Sequence, residues 1–420
     1  MKRIIKKNSN KTSNIKKYQI KKERRKNLKA KPKKIKVKEN NIIDVETSKE
    51  NNNKENDRIK SLIRTIFNLR EAKRQLLFLG IDIKNISSKL NDDLFKSCCN
   101  ILSKIDRIIN SKDIDHRRKK DKYFNFSKEY YKLIPHTFSF PDYNMYLIND
   151  IDKIQRELCL LELIKSYSQL EAVFQTIKNN KEENDLNNSI NDSINLSVNN
   201  IENTTEEERH KNISNSFYER ALSEFDFSIS LMSKSSEKYK EIKDFLRLFS
   251  NEKEGPFPPL ELLDLFKLTK EDDNNEEINL LWYGCEIPHL YSILKNGFRL
   301  PFKKAPSNAY IYGKGILLSD NPYRQIQKCL PKNNIAYLLV CSTPLLKPRI
   351  VHLHHKNYPE KLDKKYDSIS IKNKLKKSLE ESDEDPKGKQ PYVHCYDFII
   401  YDLSLIKISY IAKVQIPSTT

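Results

Sequence analysis

Three short stretches decide how this chain is read: Leu281-Trp282-Tyr283-Gly284-Cys285, Ile293-Leu294-Lys295-Asn296-Gly297-Phe298-Arg299 and Tyr312-Gly313-Lys314-Gly315-Ile316. Only seven glycines occur in 420 residues, and four of them (Gly284, Gly297, Gly313, Gly315) fall within these stretches. In a sequence that otherwise avoids glycine, such clustering marks backbone that must turn, take a positive φ or be approached closely by a ligand. The region is therefore the candidate site. Around it lie apolar runs of strand length at 280–283, 315–318, 335–340, 398–401 and 406–414, with one short helix at 288–295. These predict an α+β or β-rich domain, with 361–389 as a charged loop.

Upstream the period changes. Ile59, Leu62, Ile63, Ile66, Leu69, Leu76 and Leu77 recur at mostly three- and four-residue steps up to Gly80, which predicts one amphipathic helix. Further helical runs cover Leu90 to Ile109, Ser127 to Leu133 (closed by Pro135) and roughly 149–177, and spacing resumes over 216–249. None of these faces can bury its stripe alone, so together they predict a helical bundle. Residues 179–212 are too polar for a core and read as a flexible insertion. Gly255-Pro256-Phe257-Pro258-Pro259 marks a boundary. The expected organisation is a disordered basic tail at 1–56, a helical domain at 57–250, a linker at 251–276 and a mixed α/β domain at 277–420.

The formal net charge is +20, and residues 1–40 alone hold 18 Lys/Arg against Glu23 and Glu39. The basicity is thus a tail, which reads as a nuclear-import and nucleic-acid-contact arm or, more blandly, as a solvated Lys/Asn-rich extension. No apolar run approaches the roughly 18 to 20 residues of a membrane span. Seven cysteines without a CxxC pair argue against a disulfide framework.

The three glycine stretches resemble the catalytic domain of the poly(ADP-ribose) polymerase family. There the first usually reads Leu-Trp-His-Gly-Ser and the third Phe-Gly-Lys-Gly-Ile-Tyr-Phe-Ala-Asp. A later segment, Asn-Glu-Tyr-Ile-Val-Tyr-Asp, looks like Tyr396-Asp397-Phe398-Ile399-Ile400-Tyr401-Asp402 here. The segment from Phe126 to His136 and its flanking helices resemble the family's helical regulatory domain, which covers the substrate site. The resemblance implies an ADP-ribosyltransferase fold with two small antiparallel sheets. It implies NAD+ as substrate, no metal, protein acceptors, and a nuclear protein of DNA repair. The chemistry would be cleavage of the nicotinamide glycosidic bond through an oxocarbenium-like state. Gly284 would bind the nicotinamide amide through its backbone, beside Cys285 and Gly315. Arg299 would contact the adenosine side, and Lys314 would lie next to the nicotinamide floor.

The departures matter as much. The family's catalytic His, Tyr and Glu correspond to Tyr283, Leu317 and Asp397. Asp397 keeps the charge but withdraws the carboxylate by roughly 1.5 Å, and a misplacement of about 1 Å can cost on the order of 10²-fold in rate. Ungapped counting places the family's Ser hydroxyl at Gln325 and its second stacking Tyr at Lys328, with Tyr312 or Tyr323 as possible replacement rings. Transfer is therefore expected to be weakened, mono-transfer at most, or lost. The alternatives are an inactive module holding NAD or ADP-ribose, tethered to nucleic acid, and a ligand-free interaction scaffold. Cys285 reads as a buried thiol rather than a nucleophile, His136 as structural, and His352, His354 and His355 as structural or solvent-facing rather than zinc ligands.

Overall fold

The computed structural model describes residues 43–85, 90–137, 146–179, 215–250, 257–270, 278–306, 309–310, 313–345, 347–352, 366–376 and 392–417. The basic arm at 1–40 and the polar insertion beyond Asn179 lie outside them. The chain divides into two units, residues 1–51 and 52–420, and of the first only the opening of one helix is described.

The run read as a single helix is two, α1 (Ile43–Ile66) and α2 (Leu69–Phe78). Asn68 makes the break: its side chain accepts the Glu71 N–H at 2.9 Å and caps a new helix. Asn91 caps α3 (Asp92–Asn110) and Asp115 caps α4 (His116–Leu133) in the same way. In the long α5 (Ile151–Asn179), Ile154, Leu158, Leu161, Ile164 and Leu170 are fully buried. They share one core with Leu62 and Ile66 of α1, Leu76 of α2 and Leu102 and Ile105 of α3, so the expected bundle is present. His136 is structural here: its ring meets the Ile134 carbonyl at 2.8 Å and the Glu157 carboxylate at 3.3 Å.

The helical spacing at 216–249 is only partly realised. Helices α6 (Asn215–Ser223) and α7 (Glu237–Leu246) are separated by strand β1 (Ser228–Leu231), which pairs with β2 (Glu261–Thr269). That second strand falls in the stretch read as linker. Its Leu262, Asp264, Leu265, Phe266 and Leu268 are buried, so the boundary ends before it.

The sheet continues through β3 (Leu280–Gly284), β4 (Ile316–Ser319), β5 (Ile335–Ser342), β6 (Pro348–His352), β7 (Ser368–Lys376), β8 (Tyr392–Ile400) and β9 (Lys407–Gln415), in the order β1-β2-β9-β5-β3-β4-β8-β7-β6. The two expected sheets are the halves of this run, joined at the single pair Trp282↔Ser319. They are not wholly antiparallel, since β6 and β7 run parallel. Strand β7 also corrects the charged loop: Ile369 and Ile371 alternate inward and pack on Val351 and Ile399. Helix α8 (Ile287–Asn296) follows β3, and the short α9 (Pro322–Ile326) follows β4. Among the described residues no helix is long and apolar enough to cross a membrane.

Helices and sheet share one core. Phe67, at the end of α1, packs against Phe217, Phe225 and Tyr291, the last at 5.3 Å between ring centroids. Around it, Ser292 of α8 donates to Gln169 of α5 at 2.8 Å, and Arg58 of α1 meets the buried Asp264 of β2 at 2.6 Å. Phe67→Ala should therefore cost about 3–5 kcal/mol, the usual range for a buried Phe truncation. Urea unfolding, followed by far-UV circular dichroism and by the fluorescence of the sole tryptophan, Trp282, should show one coincident transition that moves to lower urea. Helix loss at a distinctly lower urea concentration than the Trp282 signal would contradict the shared core.

Candidate active site

Strand order brings the three triad positions onto neighbouring strands: Tyr283 on β3, Leu317 on β4 and Asp397 on β8. Their environments differ sharply. Tyr283 is half-buried, its ring edge-on to Phe298 at 4.9 Å, and burial raises its hydroxyl pKa well above the ordinary range. Leu317 packs on the apolar cluster of Val351, Ile369, Ile371 and Ile399. Asp397 is 2% exposed, and both its oxygens are engaged. Arg324 grips it as a fork, Nη2 to Oδ2 at 2.6 Å and Nε to Oδ1 at 3.1 Å, and the Asn373 amide donates to Oδ2 at 3.0 Å. Bidentate, charge-assisted bonds of this kind hold a carboxylate firmly in place.

Gly284 has a different reason for being glycine than a bound ring. A Cβ there would lie 2.0 Å from the Gln325 carbonyl oxygen, so the residue lets α9 lie directly against β3. Its N–H donates to the Gln325 side-chain oxygen at 3.2 Å, and Gln325 is 1% exposed. The residue placed by counting at a nicotinamide contact is thus itself the partner of the backbone expected to bind nicotinamide. Gly315 serves packing as well, because a Cβ there would lie 2.5 Å from the Ile399 side chain.

Other expected contacts sort differently. Lys314 donates its ammonium to the carbonyls of Phe302, Lys303 and Ala305 at 2.8–3.1 Å, and so ties down a loop instead of forming a floor. Arg299 is exposed. Cys285 is a buried thiol whose pKa burial pushes up, which leaves it a poor nucleophile. Tyr312 lies outside the described residues. Tyr323 cannot stand in as a ring, since it stacks on Phe257 at 4.4 Å and donates to the Pro258 carbonyl at 2.6 Å. His352 ends β6 and His354 and His355 lie outside the described residues; among those described, no group of three His, Cys, Asp or Glu could hold a metal.

Of the further residues at the site, Lys328 was placed by counting as a substituted ring position, and the others carried no signal in the sequence. Lys328, on the turn after α9, places its ammonium 6.0 Å from the Tyr283 ring centroid. Burial lowers its pKa, against the opposing pull of Asp397 and Glu286. The helical part reaches in twice. Gln75 of α2, itself buried, accepts the Ile287 N–H at 3.0 Å and lies 3.5 Å from the carbonyls of Cys329 and Leu330, a few residues past Gly284 and Gln325. Glu162 of α5 faces Tyr310, and burial raises its pKa. His289 sits close to both acids: burial alone would lower its pKa, but its 3.1 Å contact with Glu286 and the charges of Glu286 and Glu162 raise it.

Asp320, beside the triad, has its pKa pushed up to about 7 by burial, aided by the Asp397 charge and opposed by the Tyr396 N–H, which donates to it at 2.9 Å. A carboxyl raised on folding binds its proton more tightly in the native than in the unfolded state. Stability is therefore lost as pH climbs from the unfolded value near 4 through about 7. Asp320→Asn keeps the acceptor for the Tyr396 N–H and removes the titration. Its thermal midpoint relative to the natural chain should rise steadily across that window and change little below it. A constant difference between the two proteins at every pH would show that Asp320 does not titrate in the folded state.

Comparison with known proteins agrees with this architecture. Residues 54–195 match the profile "Poly(ADP-ribose) polymerase, regulatory domain" and residues 236–416 match "Poly(ADP-ribose) polymerase catalytic domain". Similar proteins include a poly(ADP-ribose) polymerase 1 of Xenopus laevis, 22% identical over 67% of this chain and 25% of the relative. A poly(ADP-ribose) polymerase 2 of Zea mays is 20% identical over 69% of the chain and 40% of the relative. A poly(ADP-ribose) polymerase tankyrase of Caenorhabditis elegans is 33% identical over 31% of the chain and 5% of the relative. This chain thus spans well under half of each relative. With both domain profiles matched in order over most of its length, the chain belongs to the poly(ADP-ribose) polymerase family.

Proposed function

We propose that this chain is an ADP-ribosyltransferase-like protein in which transfer from NAD+ to protein acceptors is weakened or lost. The family supplies the reaction class. The observation that carries the reading is the double engagement of the site: the Asp397 carboxylate is bound by Arg324 and Asn373, and the Gly284 N–H is bound by Gln325. Cleavage of the glycosidic bond needs groups aimed at charge that develops on the ribose, and such groups act only if they are free to meet it. Here a carboxylate already neutralised by a guanidinium stabilises an oxocarbenium poorly. The residues present do not fit the nicotinamide carboxamide while Gln325 fills its hydrogen-bonding position.

The basic arm supports a second part of the proposal, a nuclear location and contact with nucleic acid. Its 18 cations in 40 residues favour polyanions through counterion release. The helical part would act as a cover, since Gln75 and Glu162 hold the site from that side.

The test compares the natural chain with a variant carrying Tyr283→His, Leu317→Tyr, Asp397→Glu and Gln325→Ser together, because groups that work as a unit show little singly. NAD titration by calorimetry and NAD hydrolysis are read on both. The natural chain should show little of either, and the fourfold variant at least about tenfold more hydrolysis, the effect of lowering the barrier by ~1.4 kcal/mol. Long ADP-ribose chains made by the natural protein would overturn the reading, as would a folded variant that neither binds nor cleaves NAD.

A further inference from the structure

Helix α4 opens with His116-Arg117-Arg118-Lys119-Lys120, and no acid stands in its first turn. The positive end of a helix dipole disfavours cations, so this placement works against the helix. A sequence that breaks a local rule without a structural return points to a role outside the fold. Among the described residues the fold uses only part of this charge: Lys119 donates to the Ile109 carbonyl at 3.4 Å, and Arg117 and Lys120 have no ion-pair partner. The inward face of α4 carries the buried Ser127 and Tyr130, with Tyr123 and Phe126 packed on the core. At helical spacing the opposite face holds Arg117, Arg118, Asp121, Lys122, Asn125, Lys128, Glu129 and Lys132, all of them exposed. Arg118 pairs with Asp115 at 3.3 Å. Among the described residues, Arg117, Lys120, Lys122, Lys128 and Lys132 have no ion-pair partner.

We infer that this face of the helical domain is a docking surface for the phosphate backbone of duplex DNA. The fit rests on charge and shape. At 1.5 Å rise per residue, the ridge from Arg117 to Lys132 is about 22 Å long and straight, against a duplex that carries one phosphate charge per roughly 1.7 Å of axis. An anionic membrane is the poorer partner, because the ridge offers no apolar side chain to insert among lipid chains. The contact lies on the opposite side of α4 from the core and is independent of the transfer reading. It adds a folded surface to the contact proposed for the arm, and tethers the same helical domain that holds the site.

The experiment uses the full chain with Arg117→Gln, Lys122→Gln and Lys128→Gln combined. A charge-matched control carries Lys234→Gln, Lys240→Gln and Lys267→Gln at exposed positions elsewhere. Binding to a duplex DNA fragment is measured by fluorescence anisotropy from roughly 50 to 200 mM salt. Each lost phosphate contact should lower the salt slope by about one, so the ridge variant should lose about three units of slope and bind at least tenfold more weakly at low salt. The control should stay near the natural chain, and circular dichroism should show both variants folded. If the ridge variant binds DNA like the control, the ridge is not the contact and the arm alone carries it. If the natural chain binds no DNA, both proposals fail. Equal or tighter binding to anionic lipid vesicles, lost with the ridge, would assign the surface to a membrane instead.

Discussion

Everything at the site depends on how closely α9 lies against β3. The approach is set by a missing side chain: with Gly284 in place, the Gln325 carbonyl sits where a Cβ would be, and the Gln325 amide can turn back onto the Gly284 N–H. Once α9 is fixed there, its other residues have little freedom. Arg324 must project toward β8, and Lys328, one turn on, toward Tyr283. A single backbone contact thus determines which charges meet in the cleft.

On the proposed reading, those charges are arranged for rest rather than for reaction. A catalytic carboxylate is useful when its environment leaves it poised and accessible. Asp397 instead lies under a guanidinium and an amide, with Asp320, whose pKa burial pushes up to about 7, close by. The shorter Asp side chain suits this arrangement, because it draws the carboxylate back toward the strand, where Asn373 of β7 can reach it. The replacements at Asp397, Gln325 and Lys328 are therefore mutually consistent, which isolated losses would not be.

Much of this could be read from the residues and some could not. The glycine cluster marked the candidate site because glycine is rare elsewhere, and the order of the motifs predicted an α+β domain behind a helical one. Strand β2 escaped because Glu261-Leu-Leu-Asp-Leu-Phe-Lys-Leu-Thr269 follows a proline-rich stretch and buries Asp264, breaking the simple alternation. Strand β7 was hidden by the lysines at 372, 374 and 376, which make its second half read as a charged loop. The break between α1 and α2 was invisible to periodicity, since the apolar steps run on past Asn68. Partners across the fold were out of reach in principle: nothing local to Asp397 announces Arg324, 73 positions away, or Asn373, 24 away. The glycine at 284 was read as approached closely by a ligand, whereas the group that approaches it here is the protein's own helix.

The same region ties the helical part to the sheet. Gln75 reaches the N–H that opens α8 and the Cys329 and Leu330 carbonyls just past α9, so it touches the chain after both Gly284 and Gln325. A ligand that displaced Gln325 would have to move α9, and moving α9 would disturb Gln75 and with it α2. Conversely, anything that pulled on the helical part would act on the site through the same three bonds. Buried polar groups with so few alternative partners resist small shifts, because leaving one unsatisfied costs on the order of 1–3 kcal/mol. With the helical part as the proposed cover, uncovering the site would break these bonds together rather than one by one.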